Sequence, residues 1–216
     1  AASDVYKRQA DSVALGEAIS AADFVVIGPG LGRGEWGNNL FAQTATRTAP
    51  MLVDADGLYW LKNSDHQPAA RSLFITPHAG EAASLLSIST ALIETDRIQA
   101  AKSLVTTYKC HALLKGPGSV VIAGTNVHIC AHGGPAMATA GMGDVLSGIC
   151  AGLLAPLSAT GRLEQVAGAF AQAVALHSAS ADLAAEEGSP RSVIATDVIE
   201  HIPRLLAGEE TFVTNC

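Results

Sequence analysis

One stretch of the chain combines residue types that bind and move charged groups: Met137-Ala-Thr-Ala-Gly-Met-Gly-Asp-Val-Leu-Ser-Gly-Ile149. Gly141 and Gly143 let successive backbone N–H groups turn into one concavity, and a helix beginning there adds the positive end of its dipole. Such a turn suits an anion, for instance a phosphate. Asp144 stands on the first helical turn, where a carboxylate is favourable for the helix itself. An acid beside an anion pocket makes chemical sense when it handles a proton or a metal next to the phosphate. Helix capping and catalysis both stay open for Asp144.

Four further segments are polar or glycine-rich: residues 28–34 (Gly-Pro-Gly-Leu-Gly-Arg-Gly), 54–57 (Asp-Ala-Asp-Gly), 76–81 (Thr-Pro-His-Ala-Gly-Glu) and 115–119 (Lys-Gly-Pro-Gly-Ser). The first is not the dinucleotide fingerprint G-x-G-x-x-G, since Arg33 stands three after Gly30 and Glu35 three after Gly32; a tight turn is the simpler alternative. The last is not a Walker A loop, because its lysine precedes the glycines. Backbone amides at Gly116, Gly118 and Ser119, with the charge of Lys115, suit a phosphate; a plain Gly-Pro turn is equally open. His78 is either a substrate contact or an ordinary surface loop residue. His66, His111, His128, His132, His177 and His201 show no metal-ligand spacing and read as structural or surface residues. No G-x-S-x-G element argues for a serine hydrolase.

The elements that must position these segments follow from periodicity. Apolar runs at residues 24–27, 51–53, 73–75 and 111–114 predict buried parallel strands, each ending at one of the four loops. Helices are predicted over 14–22, 35–46 and 94–108, the last from Ile98, Ala101, Val105 and Tyr108. Pro77 suits a first helical turn. Residues 120–123 and 127–130 read as a hairpin joined by Gly124-Thr-Asn126. Three helices close the chain at 144–154, 163–185 and 196–206, with Thr196 as N-cap and a kink at Pro203. Alternation of strand, loop and helix predicts a layered α/β fold with its site at the carboxyl ends of the strands. Residues 1–9 carry no amphipathic period and read as a tail; residues 10–216 read as one domain.

Composition narrows the function. Formal charge is −7 with no Lys/Arg cluster, which argues against nucleic acid or an anionic membrane as the main partner. Cys110, Cys130, Cys150 and Cys216 form no C-x-x-C pair and read as reduced thiols of a cytoplasmic protein. No apolar run approaches the length of about 20 residues that spans a bilayer, and the first residues show no signal-peptide pattern.

Taken together, Ile27-Gly-Pro-Gly-Leu-Gly32, Asp54-Ala-Asp-Gly-Leu58, Thr76-Pro-His-Ala-Gly-Glu81, Lys115-Gly-Pro-Gly-Ser-Val120 and Gly141-Met-Gly-Asp-Val-Leu-Ser-Gly148 resemble one family. The chain is similar, in order from about Ala14 to Leu206, to the ADP-dependent NAD(P)H-hydrate dehydratases of the ribokinase-like superfamily. The resemblance implies a three-layer α/β fold, a mostly parallel central sheet flanked by helices. It implies repair of the S epimer of hydrated NADH or NADPH by phosphorylation of the ring hydroxyl and loss of phosphate, a hydro-lyase reaction consuming ADP or ATP. By resemblance Asp144 is the general base and a substrate contact, with Gly30 and His78 completing the substrate side. Lys115, Gly116, Pro117, Gly118, Ser119 and Gly143 hold the nucleotide, and Ala140, Gly141, Met142 and Gly143 form the anion hole. A Mg²⁺ ion bridging phosphates is implied; its ligands are unassigned, with Glu81 only a candidate.

The chain departs from the family pattern at Ala140, where members usually have glycine; alanine is tolerated there if the position needs no unusual φ. Pro117 and Ala79 are mild variants. Family domains also begin with a further strand and glycine-rich loop, so the resemblance implies a chain shortened at its N-terminus, lacking any upstream epimerase domain and exposing a sheet edge. It further implies a homo-oligomer. Two other readings stay open: a ribokinase-like kinase of a vitamin-precursor alcohol, and a non-catalytic nucleotide-binding sensor.

Overall fold

The computed structural model describes residues 12–70, 72–159 and 163–208. The tail expected at residues 1–9 lies outside them. Short, largely apolar strands form because parallel strands inside a covered sheet are buried on both faces. β1 (Val25–Ile27), β2 (Met51–Val53), β3 (Leu73–Ile75) and β4 (His111–Leu114) pair in parallel, in chain order. β5 (Val120–Ala123) and β6 (Asn126–Ile129) continue the sheet antiparallel, giving the order β1-β2-β3-β4-β5-β6.

Helices cover both faces. α2 (Glu35–Ala45), α3 (Asp56–Asn63), α4 (Ala79–Leu86), α5 (Thr90–Thr95) and α6 (Arg97–Tyr108) follow α1 (Ser12–Ala21). From this group Phe41, Leu58, Leu61, Ile93 and Leu104 pack on Ile27, Val53, Ile75 and Leu114. The opposite face, carrying Leu52, Phe74, Leu113 and Val121, is covered by α7 (Met142–Ala159) and α8 (Leu163–Glu187) through Leu146, Leu154, Phe170 and Val174. α9 (Ala195–Ala207) packs on α8 through Leu205, against Leu176 and Ala179. The expected layered α/β architecture with a mostly parallel sheet is therefore present. Among the described residues no second strand flanks β1, and Val26 is 38% exposed there.

Several boundaries differ from expectation. The helix expected over 94–108 is two, because Asp96 leaves helical geometry (φ −148°, ψ 87°) and turns its carboxylate to Gln99 N at 2.8 Å, capping α6. Residues 54–57 do not stay a loop: α3 begins at Asp56. Pro77 lies just outside α4, whose N-cap is His78. Asn126 enters the hairpin ladder opposite Ala123, so the turn is Gly124-Thr125 and Cys130 falls beyond β6. The N-cap of α9 is Ile194, not Thr196, with Asp197 Oδ2 accepting from Ile194 N at 2.9 Å. α7 starts two residues ahead of Asp144 and runs on past the expected end at residue 154.

Candidate active site

The parallel strands deliver their loops to one edge of the sheet, and the backbone locks those loops together. Gly28 has φ +133°, and a Cβ there would sit 1.6 Å from Asp54 O, so the first loop passes directly over the second. Asp56 then ties α3 to the first loop, accepting from Gly32 N at 3.0 Å and Arg33 Nε at 2.9 Å. The third and fourth loops continue the strand pairing: Lys115 N donates to Pro77 O at 2.8 Å, and His78 stands opposite Lys115. All four loops thus meet, as the strand alternation predicts.

At their centre lies a carboxylate whose role the sequence did not reveal. Asp54, 1% exposed, accepts from Lys115 Nζ at 2.8 Å and Ala55 N at 2.9 Å through Oδ1. Its Oδ2 accepts from Ser147 Oγ at 3.0 Å. Lys115 also faces Glu81, with Nζ 3.8 Å from Oε2. A Cβ on Gly143 would fall 3.5 Å from Asp54 Oδ2 and 3.7 Å from Lys115 Nζ, so the start of α7 rests on this ion pair. One buried acid therefore ties the lysine at the head of residues 115–119 to the helix that carries Asp144.

α7 makes its first backbone bond from Val145 N to Gly141 O at 3.0 Å, which leaves the N–H groups of Met142, Gly143 and Asp144 for an external acceptor. Gly141 takes φ +87°, whereas Ala140 does not have positive φ, so alanine fits there without strain. Asp144 is exposed and makes no hydrogen bond or ion pair among the described residues. Its carboxylate is available for proton transfer.

A cavity of about 640 Å³ opens beside Gly143. It is lined by Lys115, Gly116, Pro117, Gly118, Ser119 and Gly143, every residue expected to hold the nucleotide, together with Met142 of the anion turn. Gly30, His78 and Asp144, the residues expected on the substrate side, do not line it. Gly30 has φ +66° with open space around its missing Cβ. His78 serves first as a cap: Nδ1 accepts from Gly80 N at 3.0 Å and Glu81 N at 3.2 Å, while Glu81 Oε2 accepts from His78 N at 2.8 Å. Its Nε2 edge remains at the surface, 3.5 Å from Glu81 Oε1.

His177, read from sequence as structural or surface, lines the same cavity from α8. It is 4% exposed and its Nε2 has no hydrogen-bond partner. Burial lowers its pKa to about 4; a hydrogen bond with the Met142 backbone opposes the shift, and the charge of Lys115 adds to it. The ring is neutral at pH 7 and braces the start of α7 without bringing charge.

Among the described residues no group of three or more His, Cys, Asp or Glu side chains could hold a metal. Asp54 has its oxygens engaged by protein donors, and Glu81 is committed to the His78 cap. Neither carboxylate is free for a metal, so any Mg²⁺ here would rest on phosphate oxygens and waters rather than on a cage of protein ligands. Nor does any helix among the described residues have the length and apolarity to cross a membrane.

A family profile described as NAD(P)H-hydrate dehydratase matches residues 3–204. The chain is 43% identical over 199 residues to the bifunctional NAD(P)H-hydrate repair enzyme Nnr of Escherichia coli (strain K12), covering 91% of this chain and 37% of that protein. It is 41% identical over 185 residues to the enzyme of the same name from Coxiella burnetii, covering 85% of this chain and 36% of the relative. It thus spans little more than a third of the length of these curated relatives. Among solved structures, the ADP/ATP-dependent NAD(P)H-hydrate dehydratase of Bacillus subtilis, co-crystallised with ATP/Mg²⁺, superposes with a TM-score of 0.74 at 25% identity, covering 91% of this chain and 70% of that one.

Proposed function

The chain belongs to the NAD(P)H-hydrate dehydratase family, and from that premise we propose that it dehydrates the S epimer of NAD(P)H hydrate at the expense of ADP or ATP. The observation that carries the reading is the junction at Gly143. On one side lies the cavity lined by residues 115–119; on the other, one residue away, stands the unengaged carboxylate of Asp144. A phosphoryl donor and an alcohol can meet across that turn.

In this reading the nucleotide lies in the cavity with its phosphates toward the N–H groups of Gly118 and Ser119 and the ammonium of Lys115, while Gly116 N–H braces the loop by donating to Ser119 Oγ at 3.3 Å. Mg²⁺, when bound, neutralises and orients those phosphates. The hydrated nicotinamide ring occupies the side of Gly30 and His78, where the missing Cβ of Gly30 leaves room for close approach. Asp144 accepts the proton of the ring hydroxyl, whose oxygen attacks the terminal phosphoryl group. The N–H groups around Ala140, Gly141, Met142 and Gly143 stabilise the charge that develops in transfer. The ring C–O bond then breaks with phosphate as leaving group, and loss of a ring proton restores the double bond. Nothing in this sequence requires a charged histidine, in keeping with a neutral His177.

The test is to incubate the protein with NAD(P)H hydrate, Mg²⁺ and ADP or ATP. The reading expects the near-ultraviolet absorbance of the reduced ring to return, with one phosphate released per nucleotide consumed. A phosphorylated alcohol that accumulates without that absorbance would replace the dehydratase with a kinase.

A further inference from the structure

The nucleotide loop rests on a cation whose place nothing in the sequence motifs announces. The break at Asp96 puts Arg97 at the head of α6, and its side chain turns back toward the end of β4. Nη2 donates to Leu114 O at 3.1 Å, immediately before the loop begins. Nη1 donates to both oxygens of Glu94 in α5, at 3.0 and 3.1 Å. The Arg97 side chain is only 15% exposed. Gly116 has φ +149°, and a Cβ there would lie 2.8 Å from Nη2, 2.9 Å from Nη1 and 3.1 Å from Cζ. The end of the guanidinium therefore fills the volume that a side chain at Gly116 would take.

We propose that Arg97, braced by Glu94, is a positioning residue for nucleotide binding: it holds residues 115–118 in their phosphate-facing conformation and places a second positive charge behind Lys115. The proposal rests on the reading of that loop as the nucleotide loop. A planar, permanently charged fork suits the task, since it reaches a carbonyl and a carboxylate at once while packing against a glycine. Lysine offers one point charge and cannot fill the same plane. The helix break at Asp96 also acquires a reason, because a continuous helix over residues 94–108 would turn Arg97 along its own axis instead of back to β4.

The experiment measures ADP and ATP affinity by calorimetry, with Mg²⁺, for wild type, R97M, R97K, G116A and R97M/G116A, alongside thermal unfolding of each nucleotide-free protein. Methionine removes the fork, and alanine at 116 pushes against it. R97M is expected to weaken nucleotide binding about tenfold, a loss of oriented contacts rather than of the site. R97K should fall between R97M and wild type. R97M/G116A should be weaker than wild type by less than the product of the two single effects, since both act through one contact. Affinity for the hydrate substrate stays unchanged in R97M. Nucleotide affinity in R97M within twofold of wild type, whatever its unfolding temperature, would overturn the proposal, as would full additivity in the double variant. Wild type that binds neither nucleotide would sink the reading of the loop itself, a result distinguishable at the first titration.

Discussion

Removing either partner of the Asp54–Lys115 pair should destabilise the protein, but by unequal amounts, and the inequality follows from burial. The Asp54 side chain is 2% exposed and that of Lys115 22%. K115M leaves a carboxylate sealed in the protein with only Ala55 N and Ser147 Oγ for company. Stranding one member of a buried pair costs about 3–5 kcal/mol. D54N instead leaves an ammonium that can reach water along its own stem and still faces Glu81 at 3.8 Å. Asparagine keeps an acceptor for Ala55 N, so the loss is about 1–2 kcal/mol, the worth of a charge-assisted hydrogen bond after partial screening. For a domain of this size each kcal/mol moves the midpoint by about 2–4 °C, which puts K115M about 6–20 °C below wild type and D54N about 2–8 °C below. Thermal unfolding of the nucleotide-free proteins by circular dichroism reads both. The double variant D54N/K115M, with no stranded charge, should recover part of the K115M loss. The reasoning is refuted if D54N costs as much as K115M, or if both lie within about 0.5 kcal/mol of wild type.

Two further outcomes follow from the same loops and helices. His177 has its pKa lowered to about 4 by burial, so between that value and the ordinary one near 6.5 the unfolded chain binds the proton first. Its contribution is complete above about pH 6.5 and is lost as pH falls toward 4, amounting to roughly 3 kcal/mol; unfolding free energies of H177Q should therefore fall less steeply than wild type over that interval. G28A and G30A should separate folding from binding, although both glycines have positive φ. A Cβ at Gly28 would lie 1.6 Å from Asp54 O, so G28A is expected to lose more than about 4 kcal/mol. At Gly30 there is open space, so G30A should lose only about 1–2 kcal/mol from its left-handed backbone while binding the hydrate substrate more weakly. Denaturant unfolding together with substrate titration reads both glycine variants.

Much of the site was legible because parallel topology leaves little choice. Once residues 24–27, 51–53, 73–75 and 111–114 read as buried strands, the loops after them had to share one edge, and the glycine turn before Asp144 marked the start of a helix. What stayed hidden depends on pairings far apart in the chain. Ser147 and Asp54 are separated by 93 residues, and nothing in the local pattern around Ser147 distinguishes it from other small residues of α7. Arg97 was not singled out, because residues 94–108 read as one helix from apolar positions that all lie after Asp96. His78 read as either a substrate contact or a loop residue, and its capping role went unseen because its ring substitutes for the shorter Ser, Thr, Asn or Asp side chains that usually announce an N-cap. His177 read only as a structural or surface residue, because the neighbouring cavity appears only when α8 is laid against residues 132–138.

The account turns on Asp144 taking the proton of the hydroxyl across the Gly143 turn, and D144N addresses it directly. Nucleotide affinity and nucleotide-dependent recovery of the reduced-ring absorbance are measured on the same preparations of wild type and D144N. Asp144 is exposed and makes no hydrogen bond or ion pair among the described residues, so D144N should fold and bind ADP or ATP like wild type. Its turnover should fall by about 10²–10⁴-fold, the usual contribution of a positioned general base. Turnover within a few-fold of wild type would contradict the account and return Asp144 to the role of a helix-start charge.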